Sequence, residues 1–121
     1  MKKHRIIIAG GRDFEKQAFV NSKLDHIFRN LNQDDIEIVE GGARGADRCG
    51  RVYAETNGID YVTFNADWEN LGRKAGPIRN SQMAEYANKL VAFWDGKSRG
   101  TENMIDTANK LGLKVVVVRY E

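Results

Sequence analysis

Short, apolar, β-branched segments alternate along this chain with longer segments whose apolar residues recur every three or four positions. The short segments are typical of strands that are buried on both faces, and the longer ones are typical of amphipathic helices. This alternation predicts a parallel sheet that is covered by helices on both sides. The predicted strands are 5–9, 36–39, 60–64, 90–94 and 113–118, and the predicted helices are 16–31, 45–56, 77–90 and 101–111.

The predicted fold is therefore an α/β, three-layer, Rossmann-like sandwich with a five-stranded, mainly parallel sheet and helices on both faces. The pattern gives the order of the elements along the chain but not the order of the strands in the sheet, so a flavodoxin-like order is the alternative. We expect residues 1–121 to form a single domain, because the length suits one domain and the sequence contains no linker or repeat. Pro77 is placed as the first residue of its helix, where its missing N–H costs nothing.

The composition excludes several classes of function. The 19 basic and 17 acidic side chains nearly balance, so charge alone does not indicate nucleic-acid binding. Cys49 is the only cysteine and, with two histidines, makes no recognisable set of metal ligands, so we predict no metal site. No apolar run approaches the roughly 18 residues of a membrane span. We therefore expect a cytoplasmic protein that does not associate with membranes.

Polar, glycine-containing segments follow the first four predicted strands, at 9–14, 40–47, 65–80 and 95–103. The carboxyl ends of parallel strands meet at one edge of a sheet, where helix N-termini converge and ligands bind. Neither glycine-rich loop matches GxGxxG or GxxxxGK[ST]. The segments combine arginines with carboxylates and amides, a mixed set that suits the phosphate, hydroxyls and base edges of a nucleotide.

We predict that ligand-binding residues from these four segments meet in a single cleft, and the sequence indicates no catalytic residue. Arg79 and Asn80 either face the ligand or are solvated residues of a first helical turn. Trp68 is a candidate for stacking on a base. The predicted ligand-binding residues are Gly10, Gly11, Arg12, Asp13, Gly41, Gly42, Arg44, Gly45, Asp47, Trp68, Arg79, Asn80, Ser98, Gly100 and Thr101.

Four further positions have structural alternatives that the sequence leaves open. Arg44 either holds a phosphate or forms a surface ion pair with Asp47 or Glu40. Asp47 either accepts hydrogen bonds from ribose hydroxyls or stabilises the first turn of its helix through its charge. The hydroxyls of Ser98 and Thr101 either bind phosphate or cap the fourth helix, and these two roles are compatible.

Several motifs in series resemble the small YspA-like branch of the SLOG superfamily, whose Rossmann-type domains are related to bacterial DNA-processing protein A and to the LOG phosphoribohydrolases. The motifs are AGGRDF at 9–14, EGGARGAD at 40–47, AGPIRNSQMAEYA at 75–87 and AFWDGKSRGTENMI at 92–105. The second motif is similar to the GxARGxD loop of DNA-processing protein A. The resemblance implies a site for a nucleotide-type ligand at the carboxyl edge of the sheet.

The chain departs from the LOG enzymes at the position of a glutamate that takes part in their catalysis. Their PGGxGTxxE motif ends in a glutamate that takes part in cleaving the glycosidic bond, and alignment on Gly100-Thr101 places Met104 there. Glu102 lies two residues earlier, about 200° away around a helix, and is a poor substitute. The resemblance therefore does not extend to LOG-type hydrolysis.

The leading hypothesis is a module that binds a nucleotide or nucleotide-derived small molecule, as a sensor or a ligand-handling domain. The first alternative is a hydrolase of N-glycosidic or phosphate bonds in nucleotides, with Asp47, Asp13 or Asp95 as acid or base. The second alternative is a single-stranded nucleic-acid binder. The sequence identifies neither the nucleotide nor any cofactor, and it is compatible with a homo-oligomer.

Overall fold

The computed structural model describes residues 1–120, which contain five strands and five α-helices. Two short 3₁₀ turns, Gln33–Asp35 and Gly72–Lys74, complete the regular structure. The elements in chain order are β1 (His4–Gly10), α1 (Gln17–Ile27), β2 (Ile36–Glu40), α2 (Ala46–Asn57), β3 (Asp60–Thr63), α3 (Trp68–Leu71), α4 (Ala75–Tyr86), β4 (Lys89–Trp94), α5 (Arg99–Lys110) and β5 (Lys114–Arg119).

The five strands form one parallel sheet in the order β3-β2-β1-β4-β5. This is the Rossmann-type order rather than the flavodoxin-like alternative, and it confirms the predicted fold class. β1 lies at the centre, and the chain moves to one side of it through β2 and β3 before returning to its other side at β4. Gly10 at the end of β1 is paired with Phe93 near the end of β4. The segments that follow these two strands therefore begin side by side.

Helices cover both faces of the sheet, and each face has its own apolar core. α1 and α2 bury Val20, Leu24 and Tyr53 against one face. α4 and α5 bury Met83 and Met104 against the other. Within residues 1–120, no helix is both long enough and apolar enough to span a bilayer.

Several predicted helix boundaries are wrong, and among them α4 ends at Tyr86 instead of 90 and α5 begins at Arg99 instead of 101. The first helix ends at Ile27, and Phe28 and Leu31 reach the core from a turn in which the Leu31 N–H donates to the Phe28 carbonyl at 2.8 Å. α4 begins at Ala75, so that Pro77 is its third residue. The first four N–H groups of a helix have no partner within it, and proline is therefore tolerated beyond the first position. The segment between β3 and α4, which lies outside the predicted strands and helices, contains α3 and a 3₁₀ turn.

β5 is an edge strand that pairs with β4 alone. Its four consecutive valines are only partly covered, and the Val117 side chain is 39% exposed. Lys114 and Arg119 stand at the two ends of this valine run, and both are exposed. The edge of the sheet at β5 thus carries an apolar run between two cations.

Candidate functional site

A cleft of about 540 Å³ lies at the carboxyl edge of the sheet, above the adjacent ends of β1 and β4. Its volume falls within the range of roughly 300–1,000 Å³ that is usual for small-molecule sites. The segment after β1 leads to α1 on one face of the sheet, and the segment after β4 leads to α5 on the other. Open α/β sheets bind their ligands at such a divergence. The loop after β1, the start of α4 and the start of α5 form the walls.

The structure brings most of the predicted binding residues together in this cleft. The four that do not line it, Gly41, Gly42, Arg44 and Gly45, all lie in the loop between β2 and α2. The eleven that line it are Gly10, Gly11, Arg12, Asp13, Asp47, Trp68, Arg79, Asn80, Ser98, Gly100 and Thr101.

Arg44 lies on the surface outside the cleft. Its Nη2 is 3.3 Å from Oδ1 of Asp13, and both side chains are largely exposed. A surface ion pair was the structural alternative for this residue, although Asp13 is the partner in place of Asp47 or Glu40. Arg79 and the N-terminus of α5 both line the cleft, whereas Arg44 does not.

The loop between β2 and α2 contacts two side chains that line the cleft, those of Arg79 and Asp47. A Cβ at Gly41 would overlap the guanidinium of Arg79 and come within 2.8 Å of Oδ2 of Asp47. The Arg79 guanidinium donates a hydrogen bond to the Gly41 carbonyl oxygen, an approach that glycine alone permits here. The absence of a Cβ at Gly41 thus lets the Arg79 side chain lie against the backbone.

Asp47, in the first turn of α2, forms the floor of the cleft and is 7% exposed. Its Oδ2 accepts hydrogen bonds from the N–H groups of Gly41 at 3.2 Å and Ala43 at 3.3 Å. Burial raises the pKa of Asp47 to about 7, although the nearby Arg79 guanidinium and both hydrogen bonds lower it. The floor is therefore a carboxyl group that changes its charge near neutral pH.

A hydrogen bond between two asparagine side chains links α4 to α5 within the cleft. Asn80 is buried, and its Nδ2 donates to Oδ1 of Asn103 at 2.9 Å, while its own Oδ1 accepts from Nε of Arg79 at 3.1 Å. Asn103 lines the cleft but was not predicted as a binding residue. A signal for it was present, because Asn103 lies three residues after Gly100 and so shares its helix face.

The N-terminus of α5 forms the wall opposite α4. The N–H groups of Lys97 and Ser98 both donate to Oδ1 of Asp95 at 2.8 Å, and the Ser98 and Lys97 bonds lower the pKa of this carboxyl group. Ser98 is the N-cap residue, but its hydroxyl makes no capping bond and lies 3.3 Å from Oγ1 of Thr101. The first-turn N–H groups around Gly100 have no acceptor inside the helix, which favours an anion at this wall.

Trp68 and Arg12 form the outer wall of the cleft. The guanidinium of Arg12 lies 5.4 Å from the centroid of the Trp68 ring, within the range of a cation–π contact. The Trp68 ring packs against Gly76 at the start of α4, yet 48% of the residue stays exposed. The cleft thus combines an accessible aromatic surface with a cation at its rim.

Met104 and Tyr120 also line the cleft. Met104 is buried and lines the cleft, whereas Glu102 is exposed and does not line it, as expected from their positions on the helix. Tyr120 also lines the cleft, with its ring centroid 4.1 Å from that of Phe14. Tyr120 was not predicted as a binding residue, because it follows the fifth strand and the predicted residues follow only the first four.

The charged side chains of the cleft are balanced in number. With a pKa of about 7, Asp47 is partly protonated at neutral pH, and the balance then shifts towards positive charge. A cleft of this kind suits a ligand that carries both anionic and neutral polar groups. Its charged residues are Arg12, Arg79, Arg99, Asp13, Asp47 and Asp95.

Comparisons with known proteins identify similar sequences and a similar fold. Residues 4–71 match the profile of the YspA, cpYpsA-related SLOG family. The chain is 34% identical over 119 residues to the gene 61 protein of Mycobacterium phage D29, and the alignment covers 93% of this chain and 94% of that protein. The structure of DNA processing protein A (DprA) from Streptococcus pneumoniae superposes with a TM-score of 0.74 at 17% identity. That match covers 99% of this chain and 51% of the DprA chain, so the present chain spans about half of DprA's length.

Proposed function

Since the chain belongs to the YspA, cpYpsA-related SLOG family, we propose that it binds a nucleotide or nucleotide-derived small molecule in the cleft above β1 and β4, as a sensor or ligand-handling module. One observation carries the proposal. A helix N-terminus, cleft-lining arginines and an exposed tryptophan surround a single cleft at the point where the strand connections diverge. These groups match the phosphate and the base of a nucleotide.

The chemistry of each wall assigns it to one part of the ligand. The N-terminus of α5, with the N–H of Gly100 and the guanidinium of Arg99, suits a phosphate. Asp47 and Asn103 suit ribose hydroxyls, because carboxylate and amide oxygens accept hydrogen bonds from them. Trp68 offers a flat apolar surface to a base.

The proposal is tested first by thermal unfolding in the presence of nucleoside mono-, di- and triphosphates, NAD and ADP-ribose. A ligand that binds only the folded protein adds about 2.7 kcal/mol to the free energy of unfolding at 100 times its Kd. We expect at least one member of this panel to raise the unfolding temperature at millimolar concentration. An unchanged transition with every member would contradict the proposal.

A matched pair of arginine variants tests whether the cleft is the binding site. Arg12→Ala removes a cation from the cleft, and Arg44→Ala removes the same charge from the surface just outside it. We expect calorimetric affinity for the bound nucleotide to fall roughly tenfold in Arg12→Ala, as for the loss of one charge-assisted hydrogen bond. Arg44→Ala should retain the wild-type affinity. Equal losses in both variants would indicate general charge attraction in place of binding in the cleft.

A second candidate function, hydrolysis of the N-glycosidic bond of the bound nucleotide, is favoured by the buried carboxyl group of Asp47. A carboxyl group whose pKa lies near 7 is suited to act as a general acid or base at neutral pH. In this reaction the protonated Asp47 donates its proton to the departing base. Water forms the new bond to the anomeric carbon of the sugar and releases a proton, which returns Asp47 to its protonated form. The products are the free base and the sugar phosphate.

Chromatography of nucleotides after incubation with the protein distinguishes hydrolysis from binding. If the second candidate holds, wild-type protein releases free base and Asp47→Asn does not, although both bind the nucleotide. Intact nucleotide with demonstrated binding would leave the binding function alone. Release by Asp47→Asn at the wild-type rate would exclude Asp47 as the acid.

A further inference from the structure

A second, open recess adjoins the cleft at the same edge of the sheet. Asp95 and Tyr120 line both depressions, and Lys97 and Arg119 complete the lining of the second. The Tyr120 ring is held by its contact with the ring of Phe14, which is buried in the core. Tyr120 therefore lies at the border that the two neighbouring spaces share.

Arg119 is held in place at the second recess. Its guanidinium lies 5.3 Å from the centroid of the Trp94 ring, which is its neighbour in register on β4. The Arg119 guanidinium also lies against Gly96, where a Cβ would overlap it. A cation that is already positioned loses less conformational freedom when it binds an anion.

The cations of this recess are available to a ligand. Within residues 1–120, neither Lys97 nor Arg119 lies in an ion pair. The one acid present, Asp95, uses its Oδ1 to accept the N–H groups of Lys97 and Ser98, so it serves to shape the loop. Two cations against one carboxylate leave the recess with a net positive charge.

We propose that this recess is a second anion-binding subsite and that the preferred ligand is a dinucleotide. The inference rests on the function proposed above, because the first nucleotide unit occupies the cleft. Asp95 and Tyr120 belong to both spaces, so a ligand that leaves the α5 N-terminus passes directly to Lys97 and Arg119. The second unit places its phosphate against these two cations.

Calorimetry with AMP, NAD and the phosphodiester-linked dinucleotide pApA tests the proposal. All three contain an adenylate, while NAD and pApA add a second unit through different linkages. We expect at least one dinucleotide to bind wild-type protein roughly tenfold more tightly than AMP does. In Lys97→Gln and in Arg119→Gln most of this advantage should disappear, whereas the affinity for AMP should stay at its wild-type value.

Lys110→Gln is the charge-matched control, because Lys110 is exposed at the far end of α5 and its loss should change neither affinity. Lys97 is also exposed, so Lys97→Gln keeps the test valid if Arg119→Gln disturbs β5. Equal affinities of AMP and both dinucleotides for the wild-type protein would overturn the second subsite but leave the proposed function intact. Failure of all three to bind would count against both. A longer oligonucleotide that binds more tightly than pApA, with steep salt dependence, would overturn the dinucleotide in favour of nucleic acid.

Discussion

Replacement of Gly45 by alanine should lower the free energy of unfolding by about 3 kcal/mol or more, since strain and steric overlap act together. Gly45 has φ of 82° and ψ of −131°, a conformation that residues with a Cβ rarely adopt. A Cβ would also overlap the Gly11 carbonyl oxygen and lie 2.5 Å from that of Arg12. The Gly11 oxygen cannot move freely, because it accepts hydrogen bonds from the N–H groups of Phe14 and Ala46, each at 3.2 Å. Urea unfolding measures the loss.

Gly58→Ala provides the control for this substitution. Gly58 ends α2 with φ of 65° and ψ of 29°, and a Cβ there would meet nothing within 4 Å. Its replacement introduces left-handed backbone strain alone and should cost roughly 1–2 kcal/mol. If both alanine variants lose the same stability, the overlap between the Gly45 position and the loop after β1 contributes nothing.

The second large effect concerns Asp47 and pH. Burial raises the pKa of Asp47 from 3.8 to about 7 in the folded protein, so folding favours the protonated form. Its contribution to stability is complete below pH 3.8 and is lost as the pH rises through about 7. The difference between these two pKa values corresponds to roughly 4 kcal/mol at most. Asp47→Asn retains an acceptor oxygen but cannot ionise, so its stability relative to wild type should rise between pH 5 and pH 9.

Urea unfolding of both proteins across this pH range measures the difference. Parallel stability curves would contradict a buried, ionising Asp47. Arg79→Met refines the test, because it removes the cation that stabilises the Asp47 carboxylate. This change should cost more stability at pH 9 than at pH 5, and most of the extra cost should vanish in the Asp47→Asn background.

The fold was predictable because its signals are local. The strands are short runs of mainly apolar residues, and each long helix has an apolar stripe, so the alternation itself indicates a covered parallel sheet. The order of the strands depends on how distant segments pair, which the apolar pattern of one strand does not encode. The end of α1 was misplaced because Phe28 and Leu31 continue the helical spacing while they pack from a turn.

The candidate site was predictable in outline, since residues at the carboxyl ends of parallel strands share one edge. Its details depend on the path of single loops. Arg44 follows the strand end as expected, but its side chain lies on the surface in an ion pair with Asp13. Asn103 enters the cleft from the first turns of α5. Tyr120 enters it from the position that follows β5, whereas the binding residues were predicted only after the first four strands. Whether the residues in the cleft bind a ligand stays a prediction.

The cations at the two ends of β5 bear on how copies of this chain meet in concentrated solution. The outer edge of β5 is a template for another chain, because the N–H and C=O groups on that edge have no partner strand and can continue the sheet. If two copies joined antiparallel about the centre of β5, Lys114 of each would face Arg119 of the other. In a parallel, in-register arrangement each cation would face its own counterpart. Like charges opposite one another are unfavourable in either case, so the two cations oppose the pairing of β5 with another copy of itself.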